Sequence, residues 1–338
     1  MKIIECVPNF SEGKNEATFL KMKNSVGNVN GCKLLGLEPD ADYNRVVVTL
    51  AGDERAIING ALAISKCAAE NIDMKKHKGE HPRIGAIDVV PFVPVKNVSM
   101  EECVKISEEY ASQISNDLHI PVYLYENSAR RQERKNLSTI RKGEYEGLEE
   151  KLKDPAWQPD YGTNVFNPKL GAIVTGARFF LIAYNVNIKS EDSYYSKEIS
   201  EILRESGRVK RDASGKTLKL NGEVLREPGR LKFVKGMGVS LEKYRITQVS
   251  MNLTNYHITP IHIAFEEVKK EAEKMGVKVQ GSEIIGLVPL EALLMAGKYY
   301  SEGRYSDDNS LVDIAVEKLG LSELNPFNKK EKIIDYMI

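Results

Sequence analysis

Two of the chain's five histidines fall in one dense polar run, Lys75-Lys76-His77-Lys78-Gly79-Glu80-His81-Pro82-Arg83, directly ahead of the apolar stretch IGAIDVVPFVP. His77-x-x-Glu80-His81 has the formal spacing of an inverted zinc-binding helix, in which two imidazoles share a face and the glutamate serves as base. That arrangement needs a helix, which Gly79 weakens, and Pro82 biases His81 toward extended backbone. A second chemistry is proton transfer by an imidazole that titrates near neutrality, stiffened by Pro82 and flanked by Glu80 and Arg83. A surface loop entering a strand accounts for the same residues, so the local pattern leaves all three readings open.

The elements that would position this run alternate between strands and helices. Residues 54–71 carry Ile57, Ala61, Ile64 and Ala68 on one helical stripe, and residues 99–116 carry Cys103, Ile106, Tyr110 and Ile114 behind a Ser99-x-x-Glu102 capping box. Runs at 3–7, 46–50, 84–93 and 122–125 are β-branched or aromatic and read as strands. The second half repeats the order, with strands at 179–188, 245–253 and 282–289 and helices at 191–204, 261–275 and 290–299. The pattern places Thr259 as cap and Pro260 at the first position of the helix from Ile261, with Gly276 ending it. Residues 143–176 have little periodicity and read as a long ordered, functional loop; Asn221-Gly222 marks a hairpin within 208–235. Residues 325–338 are amphipathic enough for a closing helix or a dimer contact.

Alternation along the second-half strands puts Gln248, Ser250 and Asn252 on one face, and Leu181, Ala183, Asn185 and Asn187 on another. These are either solvent-facing sides or polar stripes that line a ligand cleft. The basic run 129–135 reads as a solvated helix face, and His262, on the Glu266, Lys269 and Glu273 side of its helix, reads as exposed. Gly236-Met237-Gly238 lacks the third glycine of a dinucleotide fingerprint.

With 48 basic and 48 acidic residues the formal charge is zero, which gives no global field toward nucleic acid or anionic lipid. The four cysteines are scattered without a C-x-x-C pair, as expected for free thiols in a reducing cytoplasm. No apolar stretch approaches the roughly 18 residues of a membrane span, and the N-terminus lacks the pattern of a signal peptide.

The blocks ECVPNFSEGKN (5–15), NRVVVT (44–49), GEHPRIGAIDVVPFVPV (79–95), PVYLYE (121–126), TGARFFLIAYNVN (175–187), QVSMNL (248–253) and GLVPLEALL (286–294) are specific in order and spacing and span nearly the whole chain. Together they closely resemble the formiminotransferase domain of formimidoyltransferase-cyclodeaminase, the glutamate formimidoyltransferase family. The resemblance implies an α/β (α+β) protein of two related α/β subdomains, 1–180 and 181–338, with sheets facing a central folate cleft and helices outside. It implies transfer of the formimino group from N-formimino-L-glutamate to N5 of tetrahydrofolate, as co-substrate, with release of glutamate.

The family's catalytic histidine falls on His81. Its assisting acid falls on Glu38, where the family commonly has Asp, with Asp40 and Asp42 close by. Its folate-binding loop falls on Gly162, Thr163, Asn164, Val165, Phe166, Asn167, Pro168, Lys169, Leu170 and Gly171, and no metal is implied. Arg45, Arg83 and Arg178 in the matched blocks are candidate forks for the substrates' carboxylates, with Asn185 and Asn187 as further substrate ligands. A histidine suits the reaction, because amine attack on an amidine carbon requires one group to take a proton and deliver one near pH 7. The family further implies a homodimer, and the chain stops where a helical cyclodeaminase domain would begin, so a separate cyclodeaminase would act downstream. Formimino-glycine or N-formyl-glutamate as donor, and a folate carrier without turnover, are the alternatives.

Overall fold

Val46, Val48 and Leu50 are fully buried while Arg45, Val47 and Thr49 between them are half-buried. That alternation is what a strand packed by helices on one face requires. The computed structural model describes residues 2–79, 82–212, 214–304 and 307–338, so Glu80 and His81 lie outside the described residues. Contacts divide the chain into two units, residues 1–179 and 180–337.

The first unit runs β1 (Ile3–Cys6), β2 (Asn9–Phe10), α1 (Glu16–Gly27), β3 (Lys33–Asp40), β4 (Arg45–Gly52), α2 (Glu54–Asn71), β5 (Ile87–Lys96), α3 (Met100–Leu118), β6 (Val122–Glu126), α4 (Leu137–Arg141), α5 (Leu148–Lys153) and β7 (Ile173–Ala177). Its seven-stranded sheet has the order β1-β4-β2-β5-β7-β6, with β3 on β4. β7 lies between β5 and β6 and is parallel to both, whereas the remaining pairs are antiparallel. The amphipathic stripes of α2 and α3 are buried as their spacing predicts, and Ser99 and Glu102 form the reciprocal capping box. Each fully buried aliphatic side chain contributes roughly 1.5–3 kcal/mol by leaving water. α1 is set by its cap, Asn15 accepting from the N–H groups of Ala17 and Thr18, and by buried Phe19, Met22 and Val26.

The stretch 143–176 is less irregular than its composition suggests. It contains α5, a 3-10 turn at Pro155–Trp157 and β7. Leu148, Leu152 and Ile140 pack with Val89, Tyr123, Tyr125 and Val174 on the sheet face opposite α1–α3, so helical segments cover part of that face as well.

The second unit runs β8 (Ile182–Ile188), α6 (Ser193–Leu203), β9 (Arg208–Val209), β10 (Lys219–Leu220), β11 (Glu223–Val224), β12 (Arg226–Glu227), β13 (Val234–Leu241), β14 (Ile246–Leu253), α7 (Ile261–Lys274), β15 (Val279–Ile285), α8 (Leu290–Ser301), α9 (Asp308–Lys318) and α10 (Lys329–Lys332). Its main sheet, β13-β14-β8-β15, is antiparallel throughout. Asn221 and Gly222, both at positive φ, turn the β10–β11 hairpin as the dipeptide predicts.

Four expectations are corrected here. Thr259 does not cap α7; its hydroxyl donates to the carbonyl of Lys232, and Pro260 occupies the cap position. His262 is buried at 7 % exposure, stacked on Tyr299 at 4.6 Å between centroids, because the end of α8 covers what the helix periodicity marks as a polar side. The basic run is no solvated helix face at Arg134, which is 1 % exposed and ion-paired with Asp160. The C-terminal stretch forms one turn of α-helix and a 3-10 turn at Ile334–Tyr336 rather than a closing helix.

Candidate functional site

The polar run ahead of β5 is fixed on both sides of its two undescribed residues. Upstream, an imidazole nitrogen of His77 lies 2.9 Å from the Asn44 carbonyl, Asn44 Nδ2 donates to the Lys78 carbonyl at 2.7 Å, and Asn44 Oδ1 accepts from the Gly13 N–H. Downstream, the Arg83 side chain is 7 % exposed, and its fork donates to Glu146 at 2.6 and 2.8 Å and to Glu144 at 2.8 Å. Arg83 holds the Glu146 carboxyl below the usual carboxylate range. The next N–H, that of Ile84, donates to Asp88 at 3.0 Å. Asp88 is the extra residue of a bulge opposite Asn9 and Phe10 and pairs with Arg141; burial pushes its carboxyl upward and Arg141 opposes that. His77, Lys78, Gly79, Arg83, Gly143, Glu144 and Glu146 line an open cavity of about 460 Å³ beside the run.

The loop 162–171 lies against the same segment. Ala86 N–H donates to the Leu170 carbonyl at 2.9 Å, Ala172 N–H donates to the Ile84 carbonyl at 3.1 Å, and Gly85 and Gly171 form an antiparallel bridge between them. A Cβ on Gly85 would sit 2.2 Å from the Ala172 carbonyl oxygen, so the approach requires glycine. Within the loop, Asn167 accepts from the N–H groups of Lys169 and Leu170, and Thr163 accepts from Val165. Val165 is 66 % exposed at the tip, while the Phe166 ring packs on Tyr145 at 5.5 Å.

The acidic candidates separate by what they already hold. Asp40 accepts from the N–H groups of Asp42 and Tyr43, closing the β3–β4 turn, and Asp42 is exposed within that turn. Glu38 is exposed on β3, opposite Val47, on the sheet face that also carries Arg45 and Thr49. By the same alternation Glu5 lies on that face of β1, opposite Ala51 and Val93, yet is only 4 % exposed.

Burial pushes the Glu5 carboxyl up to about 7, against the opposing charge of Arg178. Its folded form therefore keeps a proton that the unfolded chain releases near 4.5, and stability falls as pH rises through that window. The gap corresponds to roughly 3 kcal/mol. Glu5→Gln should match the wild type in urea unfolding near pH 4.5 and exceed it by about that amount at pH 8. An equal difference at both pH values would count against the assignment.

On the second unit's sheet, Asn187 is fully buried and Gln248 is 3 % exposed, so this part of the polar face is not solvated. Gln248 Nε2 lies 2.7 Å from Asn187 Oδ1 and 2.8 Å from Glu283, and Asn325 also donates to Glu283. Asn185, Ser250 and Asn252 share that face and are more accessible. The sequence pattern did not single out Glu144, Tyr145, Glu146 or the Asp88–Arg141 pair. The available signal was the Glu-Tyr-Glu triplet framed by Gly143 and Gly147 in an otherwise aperiodic stretch.

The geometry alone does not name a family, but the chain's relatives do. Residues 3–178 match the family model described as the formiminotransferase domain, N-terminal subdomain, and residues 183–338 match that of the formiminotransferase domain. The chain belongs to the formiminotransferase family. It is 48 % identical to the formimidoyltransferase-cyclodeaminase of Dictyostelium discoideum over 340 residues, covering the whole of this chain and 60 % of that protein. It is 44 % identical to the glutamate formimidoyltransferase of Streptococcus pyogenes serotype M1, covering 88 % of this chain and 93 % of that one. With the glutamate formimidoyltransferase of Thermoplasma acidophilum it shares 39 % identity, over 94 % and 98 % of the two chains.

Proposed function

We propose that this chain is a glutamate formimidoyltransferase that moves the formimino group of N-formimino-L-glutamate to N5 of tetrahydrofolate and releases glutamate. In this reading His81 transfers protons, Glu38 assists it, and residues 162–171 hold the folate. The observation that carries it is the lacing of 84–86 to 170–172, which joins the loop assigned to folate to the segment that follows His81. An exposed apolar tip at Val165 beside an aromatic pair suits a flat heteroaromatic ligand. Tetrahydrofolate supplies the nucleophilic amine when bound; the chain's own residues orient the two substrates and move protons between nitrogens.

Arg45, on the face shared with Glu38, and Arg178, whose charge acts on Glu5, are the cations assigned here to substrate carboxylates. Four free thiols and a zero formal charge support a protein of a reducing cytoplasm that binds neither nucleic acid nor membrane. No described helix is long and apolar enough to cross a membrane. A homodimer completes the reading by family expectation.

The deciding experiment gives purified protein tetrahydrofolate with formimino-glutamate, formimino-glycine or formyl-glutamate, and follows the folate product by absorbance after acid conversion to the methenyl form. Turnover with formimino-glutamate is expected. Turnover only with another donor, or folate binding without product, would overturn the assignment. Because Asp40 is occupied in its turn, Glu38→Gln should lower kcat about tenfold without lowering the unfolding midpoint. Asp40→Asn should chiefly weaken the fold, and the reverse outcome would move the assisting role to Asp40.

A further inference from the structure

We propose that the turn at residues 143–147 is a positioning element that transmits occupancy of the folate loop to the His81 run, through Tyr145 on one side and Arg83 on the other. This rests on the function proposed above. Three successive residues of the turn serve the two segments. Glu144 and Glu146 grip the Arg83 fork, and the Tyr145 N–H donates to the Arg83 carbonyl at 2.8 Å. The Tyr145 hydroxyl donates to the Pro168 carbonyl at 2.6 Å, and its ring packs on Phe166.

The turn is closed by its own backbone, the Gly147 N–H donating to the Gly143 carbonyl at 2.8 Å and the Glu144 N–H to the Arg141 carbonyl at 2.7 Å. Gly143 and Glu144 both adopt positive φ, and a Cβ on Gly147 would lie 2.7 Å from the Gly143 carbonyl oxygen. The Gly85–Gly171 bridge and the bond from the Met74 N–H to the Lys169 carbonyl hold the loop near its end, whereas Tyr145 touches it at 166 and 168, where a ligand would press. Any displacement there reaches Arg83, two positions from His81. Arg83 is then a strut and not a ligand of substrate: its side chain is 7 % exposed and two carboxylates of this one turn hold its fork.

Two variants separate this role from a structural one. Tyr145→Phe deletes the bond to Pro168 and keeps the ring, and Glu146→Gln removes the charge of the main grip on Arg83. The readouts are hydrogen exchange of the peptide spanning 77–86, with and without 5-formyl-tetrahydrofolate, and kcat and KM for each substrate. In the wild type the folate should protect that peptide. Tyr145→Phe should lose most of the protection, and both variants should lower kcat about tenfold with the KM for formimino-glutamate within about twofold. A merely structural role would lower the unfolding midpoint and leave the folate-induced protection in place.

Wild-type kcat and protection in both variants would overturn the proposal, as would a wild type that shows no protection. So would a large rise in donor KM at unchanged kcat in Glu146→Gln, which would return Arg83 to the substrate. If the wild type turns over no donor, the proposed function falls, while the exchange data still decide the coupling.

Discussion

His81→Ala is expected to lower kcat by roughly two to four powers of ten, the usual range for loss of an acid–base group, with folate affinity nearly unchanged. The selectivity for kcat follows from how the site is divided. The loop assigned to folate is shaped by Asn167, Thr163, Tyr145 and its pairing with 84–86. The run that carries His81 is fixed from Asn44 on one side and from Glu144, Glu146 and Asp88 on the other, so truncating one side chain leaves its frame intact. A limb of the kcat/KM profile near neutral pH, present in the wild type and absent from His81→Ala, would assign the proton transfer to this residue. An unaffected rate would remove His81 from the mechanism.

The second large effect concerns stability. Asp160→Ala should cost about 3–5 kcal/mol in urea unfolding, because it leaves a buried guanidinium unpaired. Arg134 is 1 % exposed and donates to Asp160 at 2.8 Å and to the carbonyls of Ala156 and Gln158, with its guanidinium over the Tyr123 and Trp157 rings. Asp160 also accepts the Leu124 N–H at 2.8 Å, so the variant orphans a strand donor as well. Replacing both members by apolar residues, Arg134→Met with Asp160→Leu, should lose less than Asp160→Ala alone, since no charge is then left buried. A loss under 1 kcal/mol for Asp160→Ala would show that solvent reaches Arg134 after relaxation.

What could be read from the sequence was whatever a single element decides for itself. α2 and α3 declared themselves because their apolar residues recur at helical spacing and, for α3, because Ser99 caps it locally; the Asp53 cap of α2 emerged only with the structure. His262 could not be read in the same way: its position on α7 is polar by periodicity, and only the packing of Tyr299 and Tyr300 from α8 buries it. Arg134 sits in a run whose charge suggests solvent, and its partner Asp160 lies in a different, aperiodic stretch. The site divides along the same line. Blocks of family resemblance marked His81 and the 162–171 loop, but Arg83 offered only its charge, which fits a substrate fork as well as a strut. Its two carboxylate partners lie about sixty residues on, beyond the reach of any local pattern.

The place of β7 has a consequence for how the protein is made. This strand is the last of the first unit to leave the ribosome, yet it fills the gap between β5 and β6, and the loop 162–171 immediately precedes it. Until residues 173–177 emerge, β5 and β6 each present an open edge, the kind of surface that recruits wrong partners. The lacing of 84–86 to 170–172 cannot form before then either, so the early half of the unit waits with its polar run unanchored on that side. Assembly of the site is thus a late event in synthesis, and slowing translation beyond residue 177 should favour correct folding of the first unit.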